Sequence, residues 1–395
     1  MRGMILGAGK GTRVRPITAS IPKPMIPILR RPLMESIILQ LKKFGVDELI
    51  VNTSYLAPVL ESYFRDGFQY GVELCYSYEG ELQNGELVGK ALGSGGGLKK
   101  VQDQSHFFDD TFVVVCGDAW FDLDFKEAID FHRRSGGLAT IITKTLPDDL
   151  LVRYGVVKTD DNGRVLAFQE KPPVGTAISN QVNTGIYIFE PEIFNYIPAD
   201  KVSDIGGDLF PELARQRLPF YAKNFDFQWL DVGNITDIWQ VTSDVLSGKI
   251  TGYPIPGHEE RPGIHIGINC VVDLDNIHIS GPVVIGSGTR IEKGANLIGP
   301  LVIGQNCFIE AGATVKHSII DDYTFLSGAA SVEDRMLYNG YCIDHQGNHI
   351  TLEEIGARWI LQDVREAQVP SDISAQLMDL SGAVPFGDTR EKRSS

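Results

Sequence analysis

Cysteine is scarce in this chain, with five in 395 residues, scattered and without metal-ligand spacing. That excludes a disulfide-stapled framework and a thiolate zinc site as organising devices. Cys116 and Cys307 sit inside apolar runs, where small buried thiols are the ordinary case. No apolar run approaches the ~20 residues that span a bilayer, and the opening lacks a charged-then-apolar leader pattern. A cytoplasmic protein without a membrane partner is therefore expected. Positive charge is also in short supply, since 36 Lys and Arg face 51 Asp and Glu, for a net charge of -15. That balance argues against nucleic acid and anionic membrane surfaces as partners. A polyanionic ligand would have to be met by locally clustered cations.

Such a cluster stands at the beginning. Met4-Ile5-Leu6 is an apolar run leading into Gly7-Ala8-Gly9-Lys10-Gly11-Thr12-Arg13-Val14-Arg15-Pro16, with Pro22-Lys23-Pro24-Met25 after it. Glycines let backbone N–H groups approach an anion closely, while Lys10, Arg13, Arg15 and Lys23 supply charge. Two common phosphate loops are excluded. Lys10 is followed by Gly11, which breaks the Walker pattern, and the third glycine comes one residue early for a dinucleotide fingerprint. Taken alone, the glycines would suit a tight strand-to-helix turn equally well.

From residue 2 to residue 77 the apolar spacing alternates between strand and helix. Strands are expected at 2–6, 48–52 and 72–77, and helices at 33–44 and 55–65. This rhythm implies a Rossmann-like, doubly wound, mostly parallel sheet whose carboxyl edge holds the ligand. A second glycine cluster, Gly89 to Leu98, follows the third strand and reads as a flexible loop or as a second ligand loop opening a helix. Phe112 to Cys116 is a continuous apolar run, hence a central strand, and it ends in Gly117-Asp118. An Asp there suits a turn, a helix cap or a hard cation. Asp124 is placed to cap a helix over 125–132.

Past residue 150 the signals are strands around an Asp161-Asn162-Gly163 turn, then Phe168-Gln169-Glu170-Lys171-Pro172 and Asn183-Thr184-Gly185-Ile186-Tyr187. Glu170 and Lys171 together read as a surface ion pair, and Asp208 as a cap. Phe227 to Gly233 brings a second strand-end carboxylate, Asp231, before a helix from about 235. Residues 249–263 read as a Pro/Gly linker. Beyond it Ile285, Ile291, Leu297, Ile303, Ile309 and Val315 are spaced by six, with small residues or thiols at 289, 295, 307 and 313. A six-residue period is too short for a helical solenoid and suits a left-handed parallel β-helix, here assigned to 264–335. After Asp322 the period decays. A hairpin is expected at 340–348, helical spacing at 352–364, and a disordered end to an extension over 336–395.

The strings L-G-A-G-K-G-T-R-V-R-P and P-K-P-M resemble the signature of the sugar-nucleotide pyrophosphorylases, the nucleotidyltransferases that join a sugar 1-phosphate to an NTP. Gly7 stands where alanine is commoner in that family. The resemblance covers roughly 1–245 through at least five motifs. It is closest to cyanobacterial UDP-glucose pyrophosphorylase or mannose-1-phosphate guanylyltransferase-like members with a hexapeptide tail. It implies a nucleotide held by Leu6, Gly7, Ala8, Gly9, Lys10, Gly11 and Thr12, with Gly93 and Gly117. It implies catalytic charge from Arg13 and Lys23, and Mg²⁺ on Asp118 and Asp231. The sugar phosphate falls to Gly155, Glu170, Lys171 and Asn183. UTP with glucose 1-phosphate is the favoured pair, and GTP with mannose 1-phosphate the alternative. Two other classes stand beside it, an acyltransferase built on the β-helix and a non-catalytic regulatory subunit. The β-helix is also expected to serve homo-oligomer assembly.

Overall fold

The computed structural model describes residues 1–395 except 84, 200, 355, 357–360, 364–377 and 380–395. Among the described residues no helix is long and apolar enough to cross a membrane. The chain divides into two compact units. The first holds residues 1–12, 18–26 and 31–231, and the second holds 13–17, 27–30 and 232–395.

The first unit is built on a nine-stranded sheet. Its centre is Arg2–Leu6, flanked in parallel by Phe112–Cys116 on one side and Glu48–Thr53 on the other, with Glu73–Tyr78 beyond. Helices α1 (Leu33–Lys43), α2 (Ala57–Phe64), α3 (Gly93–Ser105) and α4 (Phe125–Ser135) connect or follow these strands. The rhythm expected from the sequence is therefore present. Two features explain the helix boundaries. Asp124 accepts the backbone N–H groups of Lys126 and Glu127 at 2.9 and 3.2 Å, capping α4. Gly45 and Gly136 follow α1 and α4 with positive φ, so the chain turns away from each helix.

The other half of the sheet is mixed. Gln181–Phe189 runs antiparallel to Phe112–Cys116 along one edge and antiparallel to Ala139–Thr145 along the other, and Ala139–Thr145 pairs in turn with Phe220–Asn224 in parallel. The strands Val156–Thr159 and Val165–Gln169 form a hairpin at the edge. Apolar side chains fill both faces. One layer carries Ile5, Val113, Val115 and Ile188, and the other carries Met4, Val114, Tyr187 and Phe189. This two-sided burial is what an uninterrupted apolar strand such as Phe112-Val113-Val114-Val115 predicts. Helix α5 (Phe210–Arg215) follows a π-helical turn over Ile205–Leu209, and the carboxylate of Asp208 accepts the Asp204 backbone N–H at 2.8 Å. Asp208 thus braces the entry to α5 from inside the turn.

The second unit begins its continuous part with α6 (Ile235–Leu246). Asn234 and Asp237 close a reciprocal capping box at its start. A three-sided parallel β-helix follows, the architecture of the left-handed β-helix. Ile285, Ile291, Leu297, Ile303, Ile309 and Val315 all point inward with at most 4% exposure, so the six-residue period marks the core. Residues 258–261, within the stretch read as a linker, form a strand antiparallel to Ile264–Ile266 that covers one edge of the stack.

The period continues further than the sequence suggests. Ile303 stacks on Ile320, Ile309 on Leu326, Val315 on Val332 and Ile320 on Leu337. These coils are 17 residues long, whereas Ile285 to Ile303 takes 18. One residue is missing at the corner after Val315, where the buried Ser318 turns its hydroxyl onto the Lys316 carbonyl, and a second between Val332 and Leu337. The first coil errs the other way, with Val272 stacked on Ile291 nineteen residues on. The hairpin expected at 340–348 is present as the antiparallel pairing of Tyr341–Ile343 with His349–Thr351, and Met336–Tyr338 adds a third strand on the other edge of Tyr341–Ile343. The helical spacing over 352–364 does not make a helix where the chain is described, because Leu361–Asp363 is a strand antiparallel to Thr324–Leu326. Trp359 and the end of the chain lie outside the described residues.

Candidate active site

The carboxyl ends of the parallel strands in the first unit carry the candidate residues to one edge. Leu6 leads into the first glycine loop, Thr53 precedes Ser54, Tyr78 precedes Glu79, and Cys116 precedes Gly117-Asp118. A cleft of about 270 Å³ opens there, lined by Leu6, Gly7, Ala8, Gly9, Lys23 and Asp118, with Asn52, Glu79, Gly93 and Ser94. A wider cleft of about 510 Å³ is lined by Lys10, Ser54, Tyr55, Glu61, Tyr78 and Gly89.

The first loop is held at both ends. Its Gly7 N–H donates to Asn52 Oδ1 at 2.7 Å, and the Gly117 N–H donates to the Leu6 carbonyl at 3.0 Å. Gly11 has φ +61°, and a Cβ there would press on Thr18 and Lys23, so glycine is needed. The Gly11 carbonyl accepts the Thr18 hydroxyl at 2.7 Å. Gly9, Lys10 and Thr12 are open to solvent. Arg13 is exposed in the short turn Thr12–Val14 and belongs by its contacts to the second unit.

Lys23 follows Pro22 into a 3₁₀ turn and points its ammonium onto the Asp118 carboxylate. Asp231 comes to the same place on a short strand, Trp229–Asp231, which pairs antiparallel with Ala119–Phe121. In that register Asp231 lies opposite Ala119, the residue after Asp118. Asp122 fastens the pairing by accepting the Gln228 backbone and side-chain N–H groups at 2.6 and 2.7 Å. Burial pushes the Cys116 thiol far up, and the nearby charges of Asp118 and Asp231 push it the same way. Asp118, next to one of these paired strands, and Asp231, on the other, offer carboxylate oxygens, the donor type that fits a hard divalent cation such as Mg²⁺.

The sugar-phosphate candidates form a second group. Asn183 donates its backbone N–H to the Gly155 carbonyl at 2.8 Å, and its amide holds Gly185 N–H and the Tyr187 hydroxyl at 2.9 and 3.0 Å. Glu170 lies against Gly155 so closely that a Cβ on that glycine would collide with its carboxylate. Lys171 is exposed and pairs with Glu170 at 3.1 Å. Tyr154 ties this group to Asp231, donating its hydroxyl to that carboxylate at 3.1 Å, and the Arg153 guanidinium stands 3.6 Å from it.

Gly93 opens the second loop at φ +76°, where its missing side chain lets the Ser203 carbonyl in to accept the N–H groups of Gly95 and Gly96 at 2.8 and 3.0 Å. Asp204 accepts both the backbone N–H and the hydroxyl of Ser94 at 3.2 Å. Sequence reasoning missed Asn52, Glu79, Ser203, Asp204 and Tyr154. For Glu79 a signal existed, since a lone acid ending a parallel strand occupies the same topological position as Asp118.

In the second unit, His317, Glu333 and Asp334 bring ligand atoms within 4.8 Å of one another. The Lys316 ammonium stands 3.5 Å from Glu333, and His317 faces Asp334 at 3.7 Å. These contacts read as an ion-pair ladder at a coil corner.

The family profile described as "Nucleotidyl transferase" matches residues 2–248, and that described as "Bacterial transferase hexapeptide (six repeats)" matches 282–317. A UTP–glucose-1-phosphate uridylyltransferase of Synechocystis sp. is 54% identical over 369 residues, covering 93% of this chain and 95% of that protein. A mannose-1-phosphate guanylyltransferase of Mycobacterium tuberculosis is 31% identical, covering 73% of this chain and 77% of its own length. Among solved structures, a UDP-glucose pyrophosphorylase complexed with UDP-glucose aligns with a TM-score of 0.52 at 19% identity. It covers 63% of this chain and 99% of that one, a likeness of fold.

Proposed function

Because the chain belongs to the nucleotidyl transferase family, whose members join nucleotides to sugar 1-phosphates, we propose that it couples UTP with glucose 1-phosphate to release UDP-glucose and pyrophosphate. The observation that carries the choice of substrates is the 54% identity, along 93% of the chain, to a relative named for that reaction. A second pair, GTP with mannose 1-phosphate, is supported by the 31% identity to the mycobacterial guanylyltransferase.

In this reading the sugar phosphate oxygen attacks the α-phosphorus in line and pyrophosphate leaves, so the work is positioning and charge neutralisation. The Gly7–Thr12 loop cradles the triphosphate with backbone N–H groups, and Gly117 and Gly93 give close access to the rest of the nucleotide. Lys23 and Arg13 offset charge on the reacting phosphates. Glu170 and Asn183 receive the sugar hydroxyls beside Gly155, and Lys171 reaches the sugar phosphate. Asp118 and Asp231 would hold Mg²⁺, which when bound would supply positive charge to the reacting phosphates. Tyr154 orients Asp231 through its hydroxyl. A cytoplasmic homo-oligomer joined through the β-helix completes the proposal. Its support is the exposure of Ile268 and Val271 on the first coil, 70% and 64%.

The deciding experiment is pyrophosphate release with Mg²⁺, crossing UTP, GTP, ATP and dTTP with glucose 1-phosphate and mannose 1-phosphate. Preference for UTP with glucose 1-phosphate is expected. Preference for GTP with mannose 1-phosphate would select the second pair, and no activity with any combination would favour the regulatory-subunit reading.

A further inference from the structure

Between the two glycine loops lies a buried chain of four hydrogen-bonding groups with a fixed direction. Gly7 N–H donates to Asn52 Oδ1 at 2.7 Å, and Asn52 Nδ2 donates to Glu79 Oε1 at 2.6 Å. The other oxygen, Glu79 Oε2, accepts Leu92 N–H at 2.7 Å. Asn52 is 3% exposed and Glu79 is 1% exposed, although both border the cleft. Further bonds anchor Glu79 in place. Its N–H donates to the Thr53 carbonyl at 2.6 Å, and its carbonyl accepts Lys90 N–H and the Ser54 hydroxyl, each at 2.9 Å. Gly97 of α3 faces the carboxylate, and a Cβ there would overlap Oε1.

The two ends of the chain are backbone N–H groups, which can only donate. Both therefore need acceptors. Asn52 meets one with its carbonyl oxygen and must then present its NH₂ to Glu79. Glu79 must accept on both oxygens, which an ionised carboxylate does and a carboxamide cannot. Replacing Glu79 by Gln leaves two donors facing each other somewhere, whichever way either amide is turned. Burial raises the Glu79 carboxyl above its ordinary range, opposed by the bonds from Leu92 and Asn52 and by the Lys100 charge, while Asp204 adds to the rise. A buried carboxylate with this environment costs stability unless every lone pair facing the interior is used.

We propose that Glu79 is a positioning residue for nucleotide binding, locking the first glycine loop at Gly7 to the second at Leu92 through Asn52. Its role is to set the spacing of the two loops, and only its kinetic readout rests on the proposed nucleotidyl transfer. The chemistry predicts a rescue that no direct ligand contact would show. In the double variant Asn52→Asp/Glu79→Gln, the carboxylate and the amide exchange places. The new carboxylate at position 52 accepts from Gly7 N–H and from the NH₂ of the new amide at position 79. The carbonyl oxygen of that amide accepts from Leu92 N–H. Every donor has an acceptor again, and the buried charge remains at one.

The experiment compares wild type, Asn52→Asp, Glu79→Gln and the double variant. It reads KM for each NTP, kcat, and hydrogen exchange at the Gly7 and Leu92 amides. Each single variant should raise the NTP KM by about 10- to 100-fold, the scale of one hydrogen bond to a charged group. Exchange at both amides should accelerate, and kcat should change less than KM. The double variant should return KM to within about threefold of wild type and restore protection. Singles that behave as wild type overturn the proposal, as does a double variant no better than its parents. An altered choice of NTP in Glu79→Gln that the double variant does not reverse would instead make Glu79 a base contact. If a single variant fails to fold, a folded double variant supports the proposal and an unfolded one refutes it. If wild type transfers no nucleotide, the function reading fails while the exchange readout still tests the lock.

Discussion

Adding one methyl group at Gly93 should loosen the second loop without unfolding the protein. Gly93 has φ +76°, a conformation that costs an L-residue roughly 1 kcal/mol. A Cβ there would also overlap the Ser203 carbonyl oxygen, closer than real Cβ atoms approach backbone. That oxygen accepts two N–H groups, from Gly95 at 2.8 Å and Gly96 at 3.0 Å. Moving it to relieve the overlap weakens both bonds, each worth about 0.5–1.5 kcal/mol. The closed loop in Gly93→Ala is thus disfavoured by about 2–3 kcal/mol against an opened one. If closure is needed to hold the nucleotide, the NTP KM rises by about 30- to 150-fold. The sugar 1-phosphate KM moves little, because Gly155, Glu170 and Asn183 are untouched. Steady-state kinetics with each substrate varied in turn, alongside thermal unfolding, measures this directly. An unchanged NTP KM with an unchanged melting temperature would mean that the Ser203 contact does not constrain the loop.

Three further outcomes are expected. Asp118→Asn should lower turnover at least about a hundredfold at saturating substrate, the scale for losing a preorganised charge partner, and a near-normal rate would remove Asp118 from the proposed metal site. Ile303→Ala, at 0% exposure in the β-helix core, should cost about 2–5 kcal/mol in denaturant unfolding, whereas Val174→Ala, 86% exposed, should stay within about 0.5 kcal/mol. Burial lowers the pKa of His132, whose ring lies between the Thr140 hydroxyl at 2.8 Å and the Glu190 carboxylate at 3.0 Å. The unfolded chain then binds the proton first, so this stability is present above about pH 6.5 and is lost as pH falls toward the folded value. Urea unfolding at about pH 7.5 and about pH 5.5, on either side of the unfolded chain's value, should show a larger acid loss in wild type than in His132→Gln, and equal losses would refute the assignment.

Where a local rule acts alone, the fold was legible. Five apolar residues in a row before Gly117-Asp118 announced a strand buried on both faces, and Asp124 announced the cap of α4. The hairpin pairing Gly80–Gln83 with Glu86–Gly89 had an Asn-Gly signal in the sequence, yet no strand was expected between 78 and 89. Period counting failed at Ser318, where a single missing residue shifts the phase, so that Ile320, Leu326 and Val332, again six apart, fall out of step with the series that ends at Val315. The spacing from 352 to 364 suggested a helix, whereas Leu361–Asp363 is held as a strand by backbone pairing with Thr324–Leu326, a long-range partner that local spacing does not report. At the site, carboxylates at strand ends and glycines beside them were readable. The lock through Asn52 and Glu79 was not, because it depends on strands adjacent in the sheet and 27 positions apart along the chain.

The three-sided stack of coils also sets a rule for how this chain tolerates insertion and deletion. Each strand takes its partner one full circuit away, at 17 or 18 residues in the regular part. Removing residues 304–320 would bring the chain leaving Ile303 to Asp321 in the phase it already has, and the strands beyond would find the same sheet. Removing about six residues, one face of a coil, though a smaller loss, would carry every later strand onto a neighbouring face. Length in this half of the molecule therefore comes in quanta of one circuit, and the gaps that separate related sequences there should cluster near multiples of that circuit.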